Sequence, residues 1–203
     1  MNPPAANKQV EFFFDFGSPT AYLAYTQLPK IVAESGATIA WRPMLLGGVF
    51  KATGNASPVT IPAKGKWMFA DIDRWAKRYA VTLARNPYFP VNTLTLMRIA
   101  AGLQLRQPDR FLRYVDAMFR AMWEKPVNLN DPAVVAATLQ GAGFDAAGLA
   151  ALAGEPEVKA MLIAITDEAV ARGVFGAPTM FVGSEMFFGQ DRLEFVREAL
   201  QLH

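Results

Sequence analysis

Val10-Glu11-Phe12-Phe13-Phe14-Asp15-Phe16-Gly17-Ser18-Pro19 is the stretch that decides how this chain folds. Val10 to Phe16 is short, aromatic and bounded by Gly17, the pattern of a buried strand. Ser18 is a favoured N-cap and Pro19 a favoured first helical residue. Tyr22, Tyr25, Leu28, Ile31 and Val32 then recur at helical spacing toward Gly36. Thr38 to Leu45 reads as a second strand, with Pro43 placing its end near an edge. Strand, helix and strand make a βαβ opening whose crossover suits a parallel pair.

Downstream, the pattern changes. Gly47 to Ile61 is rich in turn residues and reads as a loop. A helix is expected from Pro62, with Met68, Ile72, Trp75, Ala76 and Tyr79 as its apolar stripe. Asn86 to Val91 is broken by Pro87 and Pro90. Helical patterns resume over 92–105, 108–124, 131–140, 145–153 and 156–172. Thr179 to Val182 and Glu185 to Phe188 then read as two short strands joined by a tight turn at Gly183-Ser184. A last helix is expected over Asp191 to Leu200, with Asp191 and Glu194 at capping-box spacing. The two ends thus look like complementary parts of one sheet. They define a discontinuous domain of residues 8–46 and 173–203, interrupted by a helical insertion, residues 47–172.

Composition narrows the chemistry. Of 203 residues, 52% are hydrophobic and 19% charged, enough to bury a core. Net charge is +2 and no basic run stands out, which argues against a nucleic-acid partner. Met1 to Lys8 has no signal pattern and no apolar run approaches a membrane span, so a cytoplasmic protein without a membrane partner is expected. There is no cysteine, which excludes disulfides, thiolate metal sites and dithiol redox chemistry. The sole histidine, His203, is terminal, so neither a histidine triad nor a metal site is expected.

Two motifs stand out against that background. Ser18-Pro19 reads as a plain helix cap, or as an anion site, because a helix N-terminus offers free N–H groups and partial positive charge. The Ser18 hydroxyl could donate to such an anion. A thiol loses one or more pKa units at such a site, and with no thiol in the chain a thiol cofactor fits the position. Gly176-Ala177-Pro178-Thr179 reads as a loop with an ordinary trans proline, or as a cis-proline exposing the Ala177 backbone for a peptide-like ligand to pair with.

Together, GSP-x-x-Y-L from Gly17 and G-x-PT-x-F-V-G with F-G-x-DR-L-E, from Gly176 to Glu194, resemble the 2-hydroxychromene-2-carboxylate isomerase family. That family is related to the kappa-class glutathione transferases and the DsbA-like branch of the thioredoxin fold. The likeness runs from about Val10 to Leu200. It implies an α/β thioredoxin-like fold, βαβ then ββα, carrying a large all-helical insertion. It implies glutathione as cofactor and a homodimer as assembly.

The resemblance also assigns residues. Ser18 matches the serine that contacts the glutathione sulfur, in place of the cysteine of the thioredoxin relatives. Ala177, before Pro178, matches the residue whose backbone pairs with the cysteinyl part. Phe188, Gly189, Gln190 and Asp191 match the segment that holds the γ-glutamyl end. Lys51, Thr53, Asn55, Pro58 and Val59 fall on the substrate side, with Phe89 and Asn92 in a second loop. Lys51 could pair with a substrate carboxylate or stand solvated at the surface, and Asn92 could simply cap a helix.

The implied reaction is a cis–trans isomerisation of an aromatic carboxylate derived from ring cleavage. Reversible thiolate addition would make a double bond single, allow rotation, and restore the bond on elimination. A kappa-like transferase or peroxidase, and a thioredoxin-like binding protein without catalysis, are the competing readings. Phe111, Met118, Phe119, Met122 and Trp123 would line an apolar pocket or belong to the core or a dimer seam.

Overall fold

The computed structural model describes residues 8–202. Met1 to Asn7 and His203, read above for a signal pattern and an imidazole, lie outside the described residues. Strand β1 (Gln9–Phe14) leads through Ser18 into helix α1 (Pro19–Ser35), which returns to β2 (Thr38–Pro43). Gly36 ends α1 at φ 67°, a left-handed conformation that suits a residue without Cβ. β1 and β2 pair in parallel, as the crossover length predicts.

The opposite end of the chain completes the sheet. β3 (Thr179–Val182) pairs antiparallel with β1 and with β4 (Glu185–Phe188), giving the order β2-β1-β3-β4. β1 is therefore an interior strand, and its aromatic run follows from that position. Phe12 and Phe14 face one side, packing with Phe16, Trp41 and Phe119. Phe13 faces the other, with Met44, Val49, Ile165 and Phe181. A strand buried on both faces needs apolar residues at successive positions rather than alternation.

The segment between the two sheet halves is helical, with one correction to the expected loop. Leu46–Thr53 forms helix α2, followed by a 3-10 turn at Pro58–Thr60. The Gly47-Gly48 pair suggests a loop, but tertiary packing prevails. A Cβ on Gly48 would stand 3.2 Å from Thr166, so the small residue lets α2 approach the helix carrying it. Then come α3 (Pro62–Tyr79), α4 (Leu94–Arg106), α5 (Pro108–Phe119), a π-helical turn (Arg120–Glu124), α6 (Pro132–Gly141), α7 (Ala146–Gly154) and α8 (Pro156–Ala171).

Phe111, Met118, Phe119, Met122 and Trp123 are all buried. They join the same cluster as Phe12, Phe14 and α1, so a single core runs from the sheet into the helical segment. Helix α9 (Leu193–Leu202) covers the sheet last, with Val196 and Leu200 in that core. The expected capping box is absent. The turn opens at Gly189 with no side-chain cap, and Asp191 pairs with Arg192 instead. No helix among the described residues is long and apolar enough to cross a membrane.

Candidate active site

Ser18 sits where β1 hands over to α1, with 4% of its surface exposed. Its extended backbone lets its oxygen turn back and accept the Ala21 N–H at 3.1 Å, so it does cap the helix. The same oxygen donates to the Ala177 carbonyl at 2.9 Å, across 159 positions of sequence. Thr20 Oγ1 reaches that carbonyl at 3.2 Å and Ser18 Oγ at 3.0 Å. The Ala177–Pro178 bond is cis. Ser18, Ala177 and Pro178 therefore meet at one point, the positive end of α1.

The next segment is tied to the same point. The Gly189 N–H donates to Pro178 O at 3.0 Å, and φ of 100° at Gly189 requires a residue without Cβ. Phe188 packs against Phe175 in a tilted pair, ring centroids 4.5 Å apart. A Cβ on Gly176 would come within 2.7 Å of the Phe188 ring, so any larger residue there would push that ring aside. Gln190 is buried, its main-chain oxygen accepts the Tyr79 hydroxyl at 2.9 Å, and its side-chain Oε1 has no partner among the described residues. Burial, then Asp191 and Glu194, push the Tyr79 hydroxyl up to about 12, so it stays a donor to that carbonyl.

The segment expected on the substrate side is largely exposed. Lys51 is exposed on α2, without an ion pair among the described residues. Thr53 turns its hydroxyl back to the Val49 carbonyl at 2.8 Å. Asn55 donates to Phe175 O at 2.8 Å, which ties this loop to the proline segment. Pro58 is exposed, and Val59 rests on Gly65, where a Cβ would approach to 3.2 Å. Phe89 packs between Phe69 and Trp123, so its ring serves packing. Asn92 accepts the Leu94 N–H at 3.1 Å in a local turn, one residue before the N-cap Thr93, rather than capping the helix itself.

A DSBA-like thioredoxin domain matches residues 9–201. The 2-hydroxychromene-2-carboxylate isomerase of Sphingobium xenophagum is 33% identical over 95% of this chain and 98% of that protein. Kappa 1 glutathione S-transferase of Caenorhabditis elegans is 27% identical over 95% of this chain and 91% of its own length. A solved 2-hydroxychromene-2-carboxylate isomerase superposes with TM-score 0.82 at 29% identity, covering 95% of this chain and 94% of that one. The chain belongs to the 2-hydroxychromene-2-carboxylate isomerase family. It is an enzyme of the isomerase class on a DsbA-like thioredoxin fold.

In this family member, Asp15 is central to the site, although in sequence it stands only as part of the strand Val10 to Phe16. Its carboxylate accepts the Gly17 N–H at 2.8 Å, the Leu46 N–H at 2.8 Å and the Thr93 hydroxyl at 3.0 Å. It thereby joins the Ser18 loop, the start of α2 and the segment beside Asn92. Burial raises its carboxyl above the ordinary value, while these three hydrogen bonds pull it back down. One signal was legible: a carboxylate inside an apolar run must be buried with partners. Trp123 supports the same loop, donating from Nε1 to Phe16 O at 2.8 Å. Thr20 and Tyr79 carried no such signal, since their roles come from contacts with residues 157 and 111 positions away.

Proposed function

We propose that this isomerase binds glutathione at Ser18 and acts on a 2-hydroxychromene-2-carboxylate-type aromatic carboxylate. The observation that carries the reading is the Ser18 hydroxyl, held at the N-terminus of α1 against Ala177, in a chain with no cysteine of its own.

The residues present fit the cofactor. Pro19 has no N–H and Ser18 takes that of Ala21, while the Thr20 N–H has no acceptor among the described residues. The helix end thus keeps an open donor for a sulfur anion. Gln190 Oε1 is a buried acceptor without a donor, which suits the ammonium of a γ-glutamyl group. The Ala177 backbone beside Pro178 suits the cysteinyl part, and the run Phe188 to Asp191 bounds the γ-glutamyl end.

When bound, glutathione would supply a nucleophilic sulfur for reversible addition to the substrate's double bond. Ser18 donates to that sulfur and holds it at the positive end of α1, which favours the ionised form. Ser18 is a donor rather than a nucleophile, because no imidazole among the described residues stands beside it to take its proton. Lys51 attracts the substrate carboxylate toward an exposed wall, beside Asn55, Pro58 and Val59. Phe89 and Asn92 hold the neighbouring loop in place. The reading includes a cytoplasmic setting, where glutathione is kept reduced. It also includes a homodimer, which the exposed apolar residues Met186, Phe188, Phe195 and Leu202 support.

The test is calorimetric titration with glutathione, with ultraviolet thiolate absorbance followed against pH and product analysis on a 2-hydroxychromene-2-carboxylate. Binding, a thiolate near neutral pH and recovery of unchanged glutathione are expected. Consumed glutathione would instead favour a kappa-like transferase, in line with the kappa-class relative. Absence of binding would leave a thioredoxin-like protein of another kind.

A further inference from the structure

Two hydroxyls converge on one carbonyl at the centre of the site. Ser18 Oγ and Thr20 Oγ1 stand 2.9 and 3.2 Å from Ala177 O, and no other side-chain donor reaches that oxygen among the described residues. A hydroxyl has one proton and two lone pairs. Ser18 Oγ already accepts from Ala21, so its proton is its only means of contacting an anion as a donor. In the present arrangement that proton points at Ala177 O. Turning it toward a sulfur anion removes one donor from the carbonyl.

Thr20 is built to fill the gap. Its oxygen lies within hydrogen-bond reach of both Ala177 O and Ser18 Oγ. Its proton can take over the carbonyl, or pass to Ser18 Oγ and strengthen Ser18 as a donor. In either position, Thr20 keeps a donor in this network when the Ser18 proton turns away from the carbonyl. We propose that Thr20 is a positioning residue that replaces Ser18 on Ala177 and so frees the Ser18 hydroxyl for the thiolate. This inference rests on the glutathione reading above.

Thr20→Val keeps the shape and removes the hydroxyl, Thr20→Ala removes it without branching, and Thr20→Ser restores it. Calorimetry at a pH below the bound thiol's pKa should find glutathione affinity within about threefold of wild type in all three, since there the thiol is protonated and the hydroxyl acts through Ser18. Thiolate absorbance against pH should place the bound thiol's pKa roughly 0.5–1 unit higher in the Val and Ala variants. Thr20→Ser should return it to the wild-type value. An unchanged thiol pKa in Val and Ala variants that still bind glutathione would overturn the role of Thr20 alone. Wild-type protein that binds no glutathione would overturn the underlying reading, and this inference with it.

Discussion

The wall made by Ser18, Ala177 and Pro178 and the wall proposed for the substrate, Lys51 to Val59, use their polar groups in opposite ways. On the first, one hydroxyl caps a helix, bonds a distant carbonyl and touches a second hydroxyl. Behind it, Asp15 gathers two backbone N–H groups and the Thr93 hydroxyl in the interior. On the second wall, Lys51, Thr53, Asn55 and Pro58 are exposed, and Asn55 alone bonds across to the proline segment. A preorganised wall suits a fixed cofactor, because donors already in place need no reorganisation. An open wall suits a substrate that enters and leaves.

Ser18→Ala should produce the largest effect and strikes the first wall directly. Loss of the donor to the sulfur should lower turnover about 100- to 1,000-fold, the scale for removing one preorganised donor at a reacting anion. Loss of the cap to Ala21 should also cost about 1 kcal/mol of stability. Steady-state kinetics and denaturant titration separate the two. Turnover within threefold of wild type would remove the distinction between the walls.

Asp15→Ala comes next. It strands the buried N–H groups of Gly17 and Leu46, which should cost about 2–3 kcal/mol of stability. The penalty should depend on pH in a direction opposite to that of a salt-bridged aspartate. Burial holds the folded-state pKa of Asp15 above the ordinary 3.8. Between those two values the folded protein keeps a proton that the unfolded chain has released. Stability from this group is therefore full below the ordinary value and lost as pH rises through the raised one. The gap between wild type and Asp15→Ala should narrow across that window and stay level on either side, as denaturation midpoints over a pH series would record.

The same contrast explains what could be read in advance. The strands, the parallel pair and the Ser18 cap were legible because each rests on local chemistry: an aromatic run, a capping residue, a proline at the first helical position. The meeting of Ser18 with Ala177 could be placed only through the family resemblance, since no local pattern spans that distance. Helix α2 was hidden because Gly47 and Gly48 are poor helix formers in isolation, and only packing against Thr166 reveals why small residues serve there. The supposed capping box at Asp191 failed for a related reason. Its spacing is right, but Arg192 offers the carboxylate an ion pair and the turn takes 3-10 geometry first.

On the open wall, Lys51→Ala should raise KM roughly five- to tenfold with kcat changed by less than about threefold. An exposed ammonium gains modest attraction for a carboxylate in water, and it gains it for bound substrate and transition state alike. Added salt should weaken the wild type toward the variant, because exposed charges are screened. A fall in kcat with KM unchanged would instead place Lys51 with the preorganised wall.

Asn55→Ala should have the smallest effect and bears on how the walls are joined. Its Nδ2 bond to Phe175 O is the side-chain link from the α2 loop to the segment before Pro178, and it lies in solvent. Water can replace the amide at that carbonyl, so the stability cost should be about 0.5 kcal/mol, the low end for a hydrogen bond. The kinetic consequence should still point one way. A loosened loop lets the open wall move while Ser18, held by Ala21 and Ala177, stays put. KM for the carboxylate should rise about two- to threefold, and the pKa of bound thiol should not change. A shifted thiol pKa in Asn55→Ala would mean that the exposed bond tunes the sulfur site through Phe175, making the two walls one mechanical unit.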